Sequence, residues 1–218
     1  MSVRLTYRQS LDELWERMAG VARLDVVAVE RATLALLDSN RQLAELVISE
    51  QSDIDALCLD IEAHAAALIA RQQPVAGDLR LVLGAIPMSA SLARMGGLAQ
   101  HVAQSTRRRA PESAVVDDLR DVFATMGRTA VAMAADLATA LSDRDIRAAT
   151  AVREADDTMD ELHRQLFAVA LAPSWSQGIE PAIDAALLGR YYERFADQAV
   201  SNAERIHFIL TGAYPAHT

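Results

Sequence analysis

Nine glycines and six prolines are all that interrupt this 218-residue chain with strong helix breakers, and they fall at few places. Proline removes a backbone donor and clashes with the preceding turn, and glycine adds backbone freedom, so long stretches lacking both run on as helix. Six such stretches emerge. The first spans about Leu5 to Leu37, with Asp38-Ser39-Asn40 as turn and cap, and the second spans about Arg41 to Gln72 and ends before Pro74. The third begins near Val75 and reaches Arg107-Arg108-Arg109, with Pro87 expected to kink it. Pro111-Glu112 opens the fourth, which ends near Leu141, and Asp143 caps the fifth, which stops before Pro173. Beyond a loop at Pro173–Gly178, the sixth runs from near Pro181 to Gly212, a residue suited to ending it. Alanine and leucine dominate, β-branched runs are short, and aromatics make up 5% against 51% hydrophobic residues, which favours an all-α protein.

Long helices joined by short turns pack as antiparallel bundles. Leu36, Leu43, Leu46 and Val47 recur at helical spacing, as do Met159, Leu162, Leu166 and Val169. Internal similarity splits the six helices into three and three. A shift of 105 residues lays Leu36-Leu37-Asp38 on Leu141-Ser142-Asp143, Ala44 on Ala149, Val47 on Val152, Asp55 on Asp160 and Leu57 on Leu162. A shift of 100 lays Leu92–Ala99 on Tyr192–Ala199. The expected fold is therefore two tandem antiparallel three-helix bundles, residues 1–110 and 111–218, joined near Ala110-Pro111.

The formal net charge of -9 argues against a nucleic-acid binder, which needs a basic surface to displace counterions from phosphates. Arg107-Arg108-Arg109 is the one basic cluster; it complements the negative end of a helix dipole, with a docking patch as the alternative reading. Cys58 is the single cysteine, so no disulfide forms within the chain, and its leucine neighbours predict a buried thiol. The amphipathic stretch from Met1 to Trp15 lacks a signal-peptide centre, and no stretch reads as the ~20 apolar residues of a membrane span. A cytoplasmic protein without membrane insertion is expected.

The segment from Arg190 to Glu204 carries the most chemistry. At about 100° per residue, Glu193, Asp197 and Glu204 fall within roughly 40° of one another. Tyr191, Phe195, Ala199, Ile206 and Leu210 form the opposite, core-facing side. A second acidic cluster, Glu154, Asp156, Asp157, Asp160 and Glu161, lies on the fifth helix, where Asp156, Asp160 and His163 share a face and Asp157 is turned away. If the fifth and sixth helices are antiparallel neighbours, Asp156 and Asp160 meet Glu193 and Asp197 across a groove. Such a stripe is either a solvated face, softened by Arg190, Arg194 and Arg205, or a seat for a hard cation such as magnesium, manganese or iron. Asp160-x-x-His163 and Glu204-x-x-His207 also raise a di-iron oxidase or iron-storage bundle. Against that, the carboxylates of the sixth helix lie opposite its apolar face, whereas di-iron ligands project into the core. No nucleophile triad is legible, Gly96-Gly97 lacks the strand and lysine of a phosphate loop, and His64, His101 and His217 read as packing or surface residues.

Three segments carry a resemblance. Glu193-Arg194-x-x-Asp197-x-Ala199-Val200-x-x-Ala203-Glu204, Pro74-Val75-Ala76-Gly77-Asp78-Leu79-Arg80 and Asp156-Asp157-Thr158-Met159-Asp160 together resemble the PhoU family, bacterial phosphate-uptake regulators. The likeness extends over essentially the whole chain, and the arginine cluster and the Trp175 loop resemble actinobacterial members. The resemblance implies a non-enzymatic negative regulator of phosphate uptake and phosphate-starvation signalling. It would act as an adaptor between the ATPase subunit of the phosphate ABC transporter and a membrane sensor histidine kinase. It would be cytoplasmic and at most peripheral to the membrane through those partners, and a paired-bundle surface fits a homodimer. It further implies metal ligands at Asp156, Asp160, Glu193 and Asp197, holding iron, manganese, magnesium or zinc. The first half departs from the family pattern: Ala93 and Gly97 replace the acidic pair around Arg94, His101 replaces an asparagine, and Gln51 replaces an acid, leaving Asp55. In the second half Gln198 stands where histidine is common and Ser201 where asparagine is common. The implied metal site is therefore confined to the second repeat.

Overall fold

The computed structural model describes residues 3–215, with side chains from Tyr7 onward. Six helices follow in order: α1 Val3–Leu37, α2 Arg41–Gln72, α3 Ala76–Arg109, α4 Asp117–Asp143, α5 Ile146–Ala170 and α6 Ile179–Thr211. Local chemistry sets several of their ends. Asn40 caps α2 by accepting from the Leu43 N–H at 3.0 Å. Gly212, at φ 84°, takes the left-handed conformation that closes α6, and its N–H donates to the Phe208 carbonyl.

Two boundaries differ from expectation. The segment after Pro111 does not open α4, which starts at Asp117. Ser113 instead ties the chain into a turn by donating to the Val115 carbonyl at 2.7 Å, and Ala114 and Val115 are drawn into the core. Asp143 is the last residue of α4 and does not cap α5; Asp145 does, accepting from the Arg147 N–H at 2.8 Å after Arg144 turns the chain through φ 54°.

α1, α2 and α3 form one three-helix bundle and α4, α5 and α6 the other. The bundles meet through α1 packed against α4 and α3 packed against α6, so the helices that pack across the repeats are equivalent ones, and α2 and α5 lie outermost. One continuous core runs through both. At the α1–α4 junction a Cβ on Gly127 would sit 2.2 Å from Thr33 Cγ2, so only glycine permits this approach. Beside it the fully buried Tyr192 hydroxyl shares a hydrogen bond of 2.8 Å with Thr33 Oγ1, linking α6 to α1. Tyr192, not Tyr191, is thus the core aromatic; Tyr191 is half-buried against His101. Leu46 likewise turns outward, 42% exposed, while Val47 is buried.

α3 is the one helix, among the described residues, long and apolar enough to cross a membrane, with a window of mean hydropathy 1.3, contrary to the expectation of none. Its apolar residues have another use: Leu81, Val82, Ala85, Met88, Leu92 and Met95 are buried, and the helix packs against α1, α2 and α6. The arginine cluster at its end serves neither of the expected roles alone. Arg107 pairs with Glu45 at 3.4 Å, and Arg109 reaches across the repeats to Glu180 at 2.7 Å and Asp184 at 2.5 Å, with Arg108 3.8 Å from Asp184.

Candidate metal-binding groove

α5 and α6 pack side by side, and along the groove between them the acidic residues of α6 act on Asp156 of α5. Asp156 is half-buried and its carboxyl is pushed up to about 6, first by loss of water and then by the negative charges of Asp160, Asp197, Asp157 and Glu193. The charges of Asp160, Asp197 and Glu193 thus reach Asp156. Asp157, expected to be turned away, adds its charge to theirs. Asp160 and Asp197 are exposed, and the Glu193 side chain is only 16% exposed. Arg190, one turn earlier on α6, clamps both Glu193 oxygens at 2.5 Å.

The donor set is entirely carboxylate oxygen, which suits a hard cation, and mutual repulsion supplies a reason to take one up. As the side chains stand, however, no three His, Cys, Asp or Glu among the described residues are positioned to share an ion, and Glu193 is engaged by Arg190. Binding through all four would require Arg190 to release Glu193. The chemistry fits; the arrangement is that of a groove whose negative charge is met by an arginine.

The equivalent groove of the first repeat is closed by hydrogen bonds. Gln51, in the place of Asp156, donates through Nε2 to Asp55 Oδ1 at 2.8 Å and to the Ala93 carbonyl at 3.2 Å. Ala93 and Gly97 bring no side-chain donors, and a Cβ on Gly97 would meet nothing within 4 Å. Asp55 is the single carboxylate left of the set.

The histidines are accounted for by packing. His163 lies against Phe167, with ring centroids 5.0 Å apart, and its buried Nε2 has no partner. His207 Nδ1 is 3.0 Å from the Ala213 carbonyl. Neither joins the carboxylates in an ion-sized cluster, so the Asp160-x-x-His163 and Glu204-x-x-His207 pairs do not assemble a di-iron core. His64 lies 3.1 Å from the Ser10 carbonyl, His101 is exposed beside Gln104, and His217 lies outside the described residues. Cys58 is buried as expected, and its thiol is pushed up first of all by that burial.

Two stacked three-helix repeats define an all-α, helical-bundle protein. The PhoU domain profile matches it twice, at residues 18–106 and 123–206. The chain belongs to the PhoU family. It is 45% identical over 213 residues to the phosphate-specific transport system accessory protein PhoU homolog 2 of Mycobacterium tuberculosis, covering 98% of this chain and 100% of that protein. It is 44% identical to PhoU homolog 1 of Mycobacterium leprae, covering 98% of this chain and 96% of the relative, in keeping with an actinobacterial member. The crystal structure of a phosphate transport system regulatory protein PhoU from Streptococcus pneumoniae superposes with TM-score 0.85 at 24% identity, covering 97% of this chain and 100% of that one, and shows the shared fold. These relatives are named accessory and regulatory proteins, in agreement with the expectation that this chain is not an enzyme.

Proposed function

We propose that this protein is an accessory component of phosphate transport that acts by contact. It would restrain phosphate uptake and phosphate-starvation signalling as a cytoplasmic adaptor between the transporter's ATPase subunit and the sensor histidine kinase. The observation that carries the reading is the match of the whole chain, both repeats included, to relatives named for the phosphate-specific transport system. Rigid, long-helix faces exposed on both bundles suit docking. The groove of Asp156, Asp160, Glu193 and Asp197 is the part proposed to take a hard cation, which when bound would neutralise the carboxylates and draw α5 and α6 together.

Deletion of the gene, in a strain with no other family copy, tests the regulatory role. Alkaline phosphatase should become active in ample phosphate, and unchanged repression would overturn the reading. Elemental analysis of the purified protein tests the cation separately. Bound metal should be lost in a Glu193→Ala/Asp197→Ala variant; no metal in either, even after supplementation, removes the cation and leaves the adaptor role standing.

A further inference from the structure

Asp25 lies within the apolar run Val21-Ala22-Arg23-Leu24-Asp25-Val26-Val27 of α1, on the stripe that also carries Met18, Ala22, Val29 and Leu36. It is 0% exposed, and neither of its carboxyl oxygens finds a hydrogen-bond donor. A buried carboxylate with no partner is among the costliest states a side chain can occupy.

Its surroundings offer an acceptor. A Cβ on Gly96 of α3 would lie 2.5 Å from Gln51 Oε1 and 3.1 Å from Asp25 Oδ1, so both oxygens press into the space that glycine leaves. The Gln51 amide is oriented by its other end, because Nε2 is donated to Asp55 Oδ1 and to the Ala93 carbonyl. Turning the amide over would set its oxygen against those two acceptors. Gln51 therefore presents Oε1, an acceptor, to the same space beside Gly96 that Asp25 Oδ1 borders, and two acceptors sharing one buried space are relieved by a proton or a cation. No trio of His, Cys, Asp or Glu is placed to hold an ion among the described residues, which favours the proton.

We propose that Asp25 is a neutral carboxylic acid at neutral pH whose O–H donates to Gln51 Oε1. Asp25, Gln51 and Asp55 then form a proton-dependent hydrogen-bond chain from the core of the first repeat to its surface, and loss of the proton loosens α1 from α2 and α3. The titratable group next to Asp25 is Cys58 of α2, which itself lies near Asp55 and Glu62 of the same helix, Glu62 being engaged by Ser89. α3 contributes Gly96, and no charge from α3 or α4 offsets the burial that drives the carboxyl well above the ordinary aspartate range. The folded chain thus keeps a proton that the unfolded chain releases above about pH 4. The folding constant falls about tenfold per pH unit from there until Asp25 itself ionises.

The test uses the full chain and an Asp25→Asn variant, whose amide N–H supplies the same donor at every pH. Urea unfolding at a series of pH values above about pH 4 should show the wild-type folding constant declining with rising pH relative to the variant, and levelling off where Asp25 ionises. Infrared spectra at pH 7 should show a protonated carboxyl C=O band that is absent from Asp25→Asn and shifted in Gln51→Leu, which removes the acceptor. The two spectral changes stand even if one variant is unstable. Hydrogen-exchange protection factors along α1 and α2, taken relative to the intrinsic exchange rate at each pH, should fall with rising pH in the wild type only. Parallel pH curves with no Asp25-dependent band would overturn the proposal, as would a bound cation lost in Asp25→Asn.

Discussion

Replacing Asp156 by asparagine removes the carboxylate whose charging the α5–α6 groove most opposes. Its value is raised from 3.8 to about 6 by burial and by four neighbouring carboxylates. At about 1.4 kcal/mol per pH unit, this is about 3 kcal/mol of opposition at neutral pH. Asp160 and Asp197 are exposed, so water and salt screen much of the repulsion, and the expected effect is about 1–2 kcal/mol. The sign follows from proton balance. A carboxyl raised in the folded state keeps its proton where the unfolded chain has lost it. The destabilisation is therefore absent below about pH 4, grows between about pH 4 and 6, and is constant above. Asp156→Asn should raise the urea midpoint at about pH 7.5 and leave it near wild type at about pH 4, with an unchanged denaturant slope. Carboxyl carbon NMR of the wild type should give a midpoint near 6 for Asp156, and Mg²⁺ or Mn²⁺ should lower that midpoint if the groove takes a cation. An equal gain at both pH values would show that the change acts by packing or helix propensity, and no gain at pH 7.5 would show that the groove does not oppose charge. Either result refutes the electrostatic reasoning.

Other perturbations address the junction between the repeats. Tyr192→Phe deletes the buried hydroxyl bonded to Thr33 and should cost about 1 kcal/mol in chemical denaturation. Gly127→Ala, although it improves helix propensity, forces a methyl against Thr33 and should destabilise by about 1–3 kcal/mol, with recovery in the double variant with Thr33→Ala. Asp184→Asn strips Arg109 and Arg108 of their shared partner; the urea midpoint should fall, by less in high salt than in low.

How far the sequence reveals this structure depends on the range of the interaction concerned. α2 is bounded as expected because Asn40 and Pro74 act on their own neighbours, and the two-bundle repeat is legible because helical periodicity survives substitution. The start of α4 is not legible: Pro111 is a good helix opener locally, but burial of Ala114 and Val115 is a tertiary demand that overrides it. The choice of Tyr192 over Tyr191 for the core depends on a rotation of one residue, finer than a wheel drawn from an unplaced helix. The use of Arg109 was hidden because its partners lie on α6, in the other repeat. Asp25 did leave a trace, an acid on the apolar stripe of α1, but only the packed structure shows that no donor reaches it.

The two repeats treat the same four positions in opposite ways, and the difference is one of charge. In the second, Asp156, Asp160, Glu193 and Asp197 crowd together with Arg190 as their adjoining cation, so either a proton on Asp156 or a divalent ion lowers the electrostatic energy. In the first, the carboxylate at the place of Asp156 is an amide, and that amide is consumed by Asp55 and the Ala93 carbonyl. With one carboxylate left and already hydrogen-bonded, a divalent ion there would have to give up its water for little return. The proposed cation site is therefore limited to one per chain. Gln51 also joins the surface of the first repeat to a buried acid at Asp25, where the second repeat has Ala130 at the equivalent position of α4. On the two proposals together, charge regulation would be divided between a groove in the second repeat that takes a cation and a buried acid in the first that retains its proton.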